Sequence, residues 1–558
     1  MRRPALLAAV LVVAGLTVAV AAPALRYDFV YDDEAMVLER KPFWELGAAA
    51  FLASRPHVTG RHLAAVSLDL DRLEAGTVPR PFHRTSIALA ALLSVLVLGL
   101  AMRVGLSLFP AAAAAVLFAV HPAHVDAVVW IVCRSELLAA IGVVATMIVC
   151  IRPADDGALR HPWPAAAASA LFATIAVLSK ESALCLPILL VLARFFLGPR
   201  VALGAGLAGS AVATAAWLAV ALPLMADIAP TQFVDNPLAH VPTLERIPKA
   251  LAVLWQYAAL LVWPHPLLPD RSWAMTNPGI VQGWIAAAAW AVAALVVLRL
   301  PRPSAAAFAL AWMPAAFAVT SNVAAPIGVI MAERLLLLPS VGACLLAGVA
   351  VEALATTPLR RRIAAVAVLV VVAVFFTLFR ARAAVWENGD VYFAASVAAS
   401  PRSAKAQFDY GSWMIRRKNP VEAEAALARA VEMIPHFSRA ANLLAESMAR
   451  RGEPAAGAEV YRAYLVHRPD DAAAMKNLTR LLLKANRPQE AVEWAQRRTA
   501  LEPGDRNALE SLVIAEGAVR RAEESAKRRA AEGAERPAAE GAERRVLKPG
   551  AAPGPVNP

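Results

Sequence analysis

Charged residues are scarce: Asp, Glu, Lys and Arg make up only 18% of the 558 residues, whereas 59% are hydrophobic and the mean hydropathy is +0.54. That balance excludes a single soluble domain and demands several membrane spans. Cysteine is rarer still. The four present, Cys133, Cys150, Cys185 and Cys344, lie in or beside apolar runs and keep no metal-ligand spacing, which argues against a disulfide framework. A basic stripe interleaved with aromatics is also missing. The net charge is +12, but its arginines are scattered at the ends of apolar runs and in the tail. This argues against a nucleic-acid partner, and the charge reads as topology signal and lipid-headgroup contact.

What fills the chain instead is a series of apolar runs. The first, Pro4 to Leu25, follows Arg2-Arg3 and holds about 20 apolar residues, enough to cross a bilayer as a helix. Ala21-Ala22-Pro23-Ala24 is rich in small residues, as a cleavage site is, but the apolar core exceeds the ~7 to 15 residues of a signal-peptide h-region, so a retained helix is expected. Its basic start stays cytoplasmic, and the stretch Tyr27-Asp28-Phe29-Val30-Tyr31-Asp32-Asp33-Glu34 emerges on the outer face. Tyr27, Phe29 and Tyr31 suit the boundary between hydrocarbon and water, and carboxylates held there can meet a lipid-borne substrate. The plainer alternative is a solvated acidic flank. The segment 26–84 is polar and, at about 60 residues, too long for a mere connection, so it reads as a folded outer loop.

Apolar runs recur at roughly 86–102, 110–128, 134–151, 163–179, 182–198, 201–222, 249–263, 280–299, 304–320, 334–352 and 362–379. Arg152 and Arg160, Arg194 and Arg200, Arg299 and Arg302, and Arg360-Arg361-Arg362 mark cytoplasmic ends. If every run spans, there are about 12 crossings, and the chain after the last one returns to the cytoplasm, against the placement of those arginines. The run 249–263 is short and bounded by Pro248 and Pro264, so it is expected to re-enter or lie at the interface within an outer segment from about Met225 to Asn277, leaving about 11 crossings.

Ionisable residues between these runs gather at their outer ends. They are His121, His124 and Asp126, then Arg134 and Glu136, Lys180 and Glu181, Asp270 and Arg271, and Glu333 and Arg334. Such groups are costly beside hydrocarbon and face a cavity or one another. The structural alternative is neighbour pairing, Lys180 with Glu181 and Arg334 with Glu333.

Past the last run the composition changes. Pro435, Pro469 and Pro503 are 34 residues apart, as are Pro420, Pro454 and Pro488, and a 34-residue period marks tetratricopeptide repeats, stacked helix pairs. Three units, roughly 403–503, carry small residues such as Ala423, Gly457 and Ala491 where helices pack closely; Tyr464 and Arg498 are off-pattern, which predicts loose packing there. The tail repeats Ala530-Ala531-Glu532-Gly533-Ala534-Glu535-Arg536 as Ala538 to Arg544, then turns to Pro and Gly, so it reads as disordered, with 515–535 able to extend the last helix. The expected fold is all-α. A polytopic membrane domain spans 1–385, tetratricopeptide repeats 386–520 and a low-complexity tail 521–558.

The order of Asp28-Phe29-Val30-Tyr31-Asp32-Asp33, then Phe118 to Val128 with His121-Pro122-Ala123-His124-Val125-Asp126, then Arg134-Ser135-Glu136, Lys180-Glu181 and Glu333 to Gly342, ending in the repeats, resembles the transmembrane and tetratricopeptide-repeat-containing O-mannosyltransferases. The resemblance covers roughly 26–510. It implies a C-type glycosyltransferase fold and transfer of a sugar, mannose by resemblance, from a polyprenyl-phosphate carrier to Ser or Thr of a protein. By it Asp32 and Asp33 match the family's acidic pair, with Asp32 the favoured base. The chain departs from the family at Gly60-Arg61-His62-Leu63, where Tyr-Arg-Pro-Leu is usual, and at Ser86, where Asn is usual.

The residue types suit that chemistry. A hydroxyl displacing a lipid phosphate needs a base for its proton and cations for the departing phosphate. Asp32 can be the first, and Arg61, Arg134, Lys180 or Arg334 the second. Direct attack opposite the phosphate would invert the anomeric carbon. No cofactor is required beyond the polyprenyl-phosphate sugar; a divalent cation on Asp32 and Asp33 is conceivable, but no second oxygen-ligand cluster stands beside them. The expected partners are the donor lipid, membrane lipid and a protein acceptor on the repeats, and the expected site is a bacterial-type inner membrane or its equivalent, with the repeats on the non-cytoplasmic side. Two other readings are a membrane scaffold whose repeats gather envelope proteins, and a lipid-linked sugar transferase acting on glycan or lipid.

Overall fold

The computed structural model describes residues 3–53, 61–152, 163–225, 231–271 and 278–546. Arg2, Gly60, Arg160 and Asn277, on which part of the sequence reading rests, lie outside them, as do 547–558. The described residues form helices and no β-strand, and the chain divides into two compact units, Met1–Ala406 and Gln407–Pro558.

In the first unit, apolar composition and length make seven helices able to cross a bilayer: Arg3–Arg26, Pro79–Val104, Ile131–Cys150, Leu203–Leu224, Ile280–Arg299, Glu333–Leu354 and Pro358–Ala384. An eighth is possible where Leu108–Ala119 and Pro122–Val129, bent by 51°, count as one broken span. The break falls at Pro122, whose missing N–H and fixed φ interrupt a helix. The remaining apolar runs fold differently. Ala305–Ala316 has 12 residues, short of the ~20 needed to span about 30 Å of hydrocarbon, and Trp163–Ser179 has 17 among the described residues, at the lower end of that length. The run 249–263 lies within Thr243–Val262, an amphipathic helix that buries Val253, Leu254, Tyr257 and Leu261 and exposes Leu244, Trp255 and Val262. It is not among the seven.

The core of this unit is a helix bundle. Arg3–Ala21 packs on Pro79–Val104 and Leu108–Ala119; Pro79–Val104 packs on Arg134–Cys150, which packs on Trp163–Ser179 and through it on Leu203–Met225. Ala305–Ala316 joins Leu337–Leu354, which returns to Leu108–Ala119. This is a multi-pass membrane protein. Between the spans, turns rather than long helices carry the charges: Pro122–His124, Ile131–Cys133, Glu181–Cys185 and Glu333–Leu336 are short 3₁₀ segments.

The second unit is a solenoid of helix pairs with the 34-residue period. Pro420, Pro454 and Pro488 each open the second helix of a pair, at Pro420–Met433, Pro454–His467 and Pro488–Leu501, where a missing N–H is harmless. Ala441, Ala445, Ala458, Leu478, Leu481 and Ala491 lie in its core. The off-pattern residues do not loosen it. Tyr464 is buried and its hydroxyl donates to Asp471 at 2.6 Å, and the buried Arg498 pairs with Asp505 at 2.8 Å. Polar partners replace the small-residue contact there. Arg506–Val546 closes the unit as a long helix that includes 515–535.

Candidate active site

The acidic stretch leaves the first helix through a turn, Ala22–Arg26, that begins with Pro23 near its start. Asp28 N–H then donates to the Glu387 carbonyl at 3.0 Å, fastening the loop to the end of the last span. Tyr31 takes a left-handed φ of 62°, and a π-helical turn, Glu34–Glu39, follows Asp33. Turns of this kind concentrate at functional sites.

The helix His62–Ala75 holds this loop in place. Asp69 pairs with Arg40 and accepts the Phe43 N–H at 2.9 Å, while Arg72 donates to the carbonyls of Val37 and Arg40 at 3.0 and 2.7 Å. Asp71 pairs with Arg134 at 2.6 Å.

The two carboxylates of the acidic pair have different surroundings. Asp33 is buried, 1% exposed, and accepts the Val30 N–H at 3.2 Å and the Val132 N–H at 3.0 Å. Burial pushes its carboxyl up to about 8, against the pull of those two donors. Asp32 is exposed. Asp33 therefore clamps the loop, and Asp32 is the exposed carboxylate of the pair.

Most cations of the site are already neutralised. Arg134, with no exposed side-chain surface, donates to Ser86, Ser67 and the Phe82 carbonyl besides its pair with Asp71, so all its donors are engaged. Lys180 pairs with Glu136, and Arg61 grips Glu181 with two donors, Nε to Oε2 at 2.9 Å. Burial alone would raise the Glu181 carboxyl, but the Arg61 guanidinium outweighs it and holds the group down at about 2. Arg382 pairs with Asp126 at 2.9 Å and approaches Glu333 at 3.5 Å, and Arg271 pairs with Glu333 at 3.0 Å. The neighbour pairs Lys180–Glu181 and Arg334–Glu333 are not the ones that form.

Arg334 differs from all of these. Among the described residues its side chain has no ion pair and no hydrogen bond; the guanidinium lies over the Trp130 ring, 5.3 Å from the centroid. Trp130 in turn meets Tyr31 edge-on at 5.5 Å and stacks on Trp386 at 5.2 Å. A chain of ring contacts thus runs from the residue before Asp32 to a cation with no ion pair of its own among the described residues. Arg334 also lies within the electrostatic reach of Glu136 and Asp126, between the two paired clusters.

His121 and His124 are both buried and engaged in hydrogen bonds. The His121 ring accepts the Ala123 N–H at Nδ1, 3.3 Å, and donates from Nε2 to the Leu261 carbonyl, 3.2 Å. His124 stacks on His121 with centroids 5.1 Å apart and bonds Ser340 Oγ at 2.7 Å. Each pins the broken span to a neighbouring helix.

Several participants were missed from the sequence. Arg382 reads there only as a charge after an apolar run, Trp386 as a membrane-edge aromatic, and neither carries a spacing signal toward Asp126, whose Oδ1 accepts Trp386 Nε1–H at 3.1 Å. Lys405, which donates to the Tyr31 hydroxyl at 2.8 Å, stands at the edge of the repeats.

A helical multi-pass membrane unit with a charged site at its turns, followed by a helix-pair solenoid, defines the class. No protein-family model matches the chain. The resemblance read from the sequence is borne out by known proteins: the chain is similar to Protein O-mannosyl-transferase TMTC3 of Mus musculus, 24% identical over 83% of this chain and 60% of the relative. It is similar also to the TMTC3 protein of Homo sapiens, 22% identical over 89% of this chain and 64% of the relative, and to Protein O-mannosyl-transferase Tmtc1 of Drosophila melanogaster, 28% identical over 29% of this chain and 19% of the relative. The chain therefore spans less than two thirds of the length of these relatives.

Proposed function

We propose that this protein is a membrane glycosyltransferase that moves a sugar, mannose by its relatives' names, from a polyprenyl-phosphate carrier to Ser or Thr hydroxyls of proteins. The observation that carries this reading is Arg334, a guanidinium with no paired carboxylate among the described residues, where Arg61, Arg134, Lys180, Arg271 and Arg382 each have one, joined through Trp130 to the loop of the exposed Asp32. A cation left uncompensated beside hydrocarbon is costly unless a ligand supplies the charge, and a phosphate matches a guanidinium fork.

In this reaction the acceptor oxygen forms a bond to the anomeric carbon as the bond from that carbon to the phosphate oxygen breaks. Asp32 takes the hydroxyl proton, and Arg334 holds the negative charge that grows on the departing phosphate. Attack from the face opposite the phosphate inverts the sugar carbon. No enzyme-bound sugar intermediate, metal or further cofactor enters the scheme. The carboxylate works at the non-cytoplasmic face, and the tetratricopeptide repeats receive the acceptor protein.

The test is transfer by the purified chain from a polyprenyl-phosphate mannose to a Ser/Thr peptide, with a panel of other labelled polyprenyl-phosphate sugars beside it. Asp32→Asn is expected to lower turnover by about 10²-fold or more, the scale of a positioned base. Unchanged turnover would remove Asp32 from the chemistry.

A further inference from the structure

The residue before the candidate base holds a conformation that tyrosine rarely adopts. At φ 62°, Tyr31 lies in the left-handed region, where its Cβ crowds the following carbonyl. Such a residue persists only where its surroundings over-determine it. Here they do. The Tyr31 ring meets Trp130 at 5.5 Å, Tyr392 at 5.8 Å and Phe393 at 6.1 Å. Lys405 Nζ donates to the Tyr31 hydroxyl at 2.8 Å and sits 5.6 Å from the ring centre, and Asp235 holds that ammonium at 3.5 Å. Trp130 and the segment that carries Tyr392, Phe393 and Lys405, both far from Tyr31 in sequence, converge on its side chain.

On the other side of Asp32 the backbone is fixed as well. Asp33 is held by the N–H groups of Val30 and Val132, and the Met36 N–H donates to the Asp32 carbonyl at 2.9 Å. Asp32 thus stands between two pinned residues. The left-handed turn at Tyr31 sends the Asp32 side chain outward while Asp33 is buried.

We propose that Tyr31, locked through its hydroxyl by Lys405, is a positioning residue that aims the Asp32 carboxylate at the acceptor hydroxyl. This rests on the reading of Asp32 as the base. A ring that only filled space would need the aromatic contacts alone. A positioning role needs the bond from Lys405, because that bond fixes the ring against rotation out of its cage and so fixes the left-handed turn. A base displaced by a fraction of an ångström from its proton loses rate while the donor lipid still binds.

The variants separate these roles. Tyr31→Phe keeps the ring and removes the hydroxyl; Lys405→Met keeps the stem and removes the donor; Lys405→Arg keeps a donor. With the purified full chain, polyprenyl-phosphate mannose and a Ser/Thr peptide, Tyr31→Phe and Lys405→Met are each expected to lower kcat about 10- to 100-fold while KM for the donor stays within about 2-fold. Lys405→Arg restores most of the rate, and thermal unfolding is unchanged in all three. Asp32→Asn is assayed beside them. If it turns over normally, the assignment of the base fails; if it is impaired while Tyr31→Phe keeps the original kcat, the positioning role alone is overturned. A fall in rate that only follows loss of folded protein overturns it too.

Discussion

The Asp33 carboxylate accepts the Val132 N–H at 3.0 Å, a bond between residues 99 positions apart that ties the acidic loop to the turn before the Arg134–Cys150 helix. Its other oxygen accepts the Val30 N–H. An amide at this position would turn an NH₂ group toward one of two donors.

Asp33→Asn is therefore expected to cost about 1–3 kcal/mol, the penalty of a buried donor left without its acceptor. A pH signature accompanies it. Burial holds the Asp33 carboxyl up at about 8 in the folded chain, against 3.8 without that burial. The folded chain then binds a proton that the unfolded chain has released, so stability is whole below about 4 and is lost as pH rises through about 8. Thermal unfolding in detergent from pH 4 to 8 should show this decline in the unaltered chain and a flatter course in Asp33→Asn. Parallel courses would deny the assignment.

Arg334 and Arg134 should respond in opposite ways to the same change. Arg134→Gln leaves Asp71 buried without its cation and is expected to destabilise the protein by about 3–5 kcal/mol. Arg334→Gln breaks no ion pair and loses only the contact with Trp130, so its unfolding should shift by no more than about 1–2 kcal/mol. Its kcat/KM for transfer should fall about 10²- to 10³-fold, the scale of one lost charge-stabilising donor. Equal instability of the two variants would argue that Arg334 has a structural partner after all.

The helices and the repeats were legible in the sequence because their signals are one-dimensional. Apolar runs and a 34-residue proline period need no knowledge of what lies across from them. The ion pairs were not legible, and Lys180 shows why. It is extended, at φ −161° and ψ 140°, so its side chain and that of Glu181 leave the backbone on opposite sides. Lys180 reaches Glu136 and Glu181 reaches Arg61, 44 and 120 residues away. The same holds for the distinction between Asp32 and Asp33. Two identical residues in succession differ only through the turn at Tyr31, and nothing in a tyrosine announces a left-handed φ.

The Arg61–Glu181 pair gives an acid limb of its own. Burial would raise the Glu181 carboxyl, yet Arg61 draws it down to about 2 from 4.5. The stability this contributes is present above about 4.5 and is lost as pH falls through about 2. Arg61→Met removes the cation, and Glu181 then protonates at a higher pH. Hydrogen exchange across the Glu181–Cys185 turn from pH 5 to pH 3 should show loss of protection beginning earlier in Arg61→Met than in the unaltered chain. Identical profiles would mean that Arg61 does not govern Glu181.

Packing in the repeat unit depends on Gly457. A Cβ there would lie 2.6 Å from the Ala445 carbonyl oxygen and 2.9 Å from Leu481 Cδ1. The first of these is backbone and has no rotamer to give way, so Ser438–Arg450 and Pro454–His467 must separate to admit a single methyl group. Gly457→Ala is expected to cost about 1–3 kcal/mol, as overpacking does, even though alanine favours a helix over glycine by about 1 kcal/mol. Gly15, on the first helix, has nothing within 4 Å of the same added atom, so Gly15→Ala should be neutral or slightly stabilising. Hydrogen exchange of the full chain separates the two effects: faster exchange across 438–482 in Gly457→Ala with 3–26 unchanged is the expected result. Unaltered protection at 438–482 would show that the helix pair can spread at no cost, and that close packing does not set the spacing of these helices.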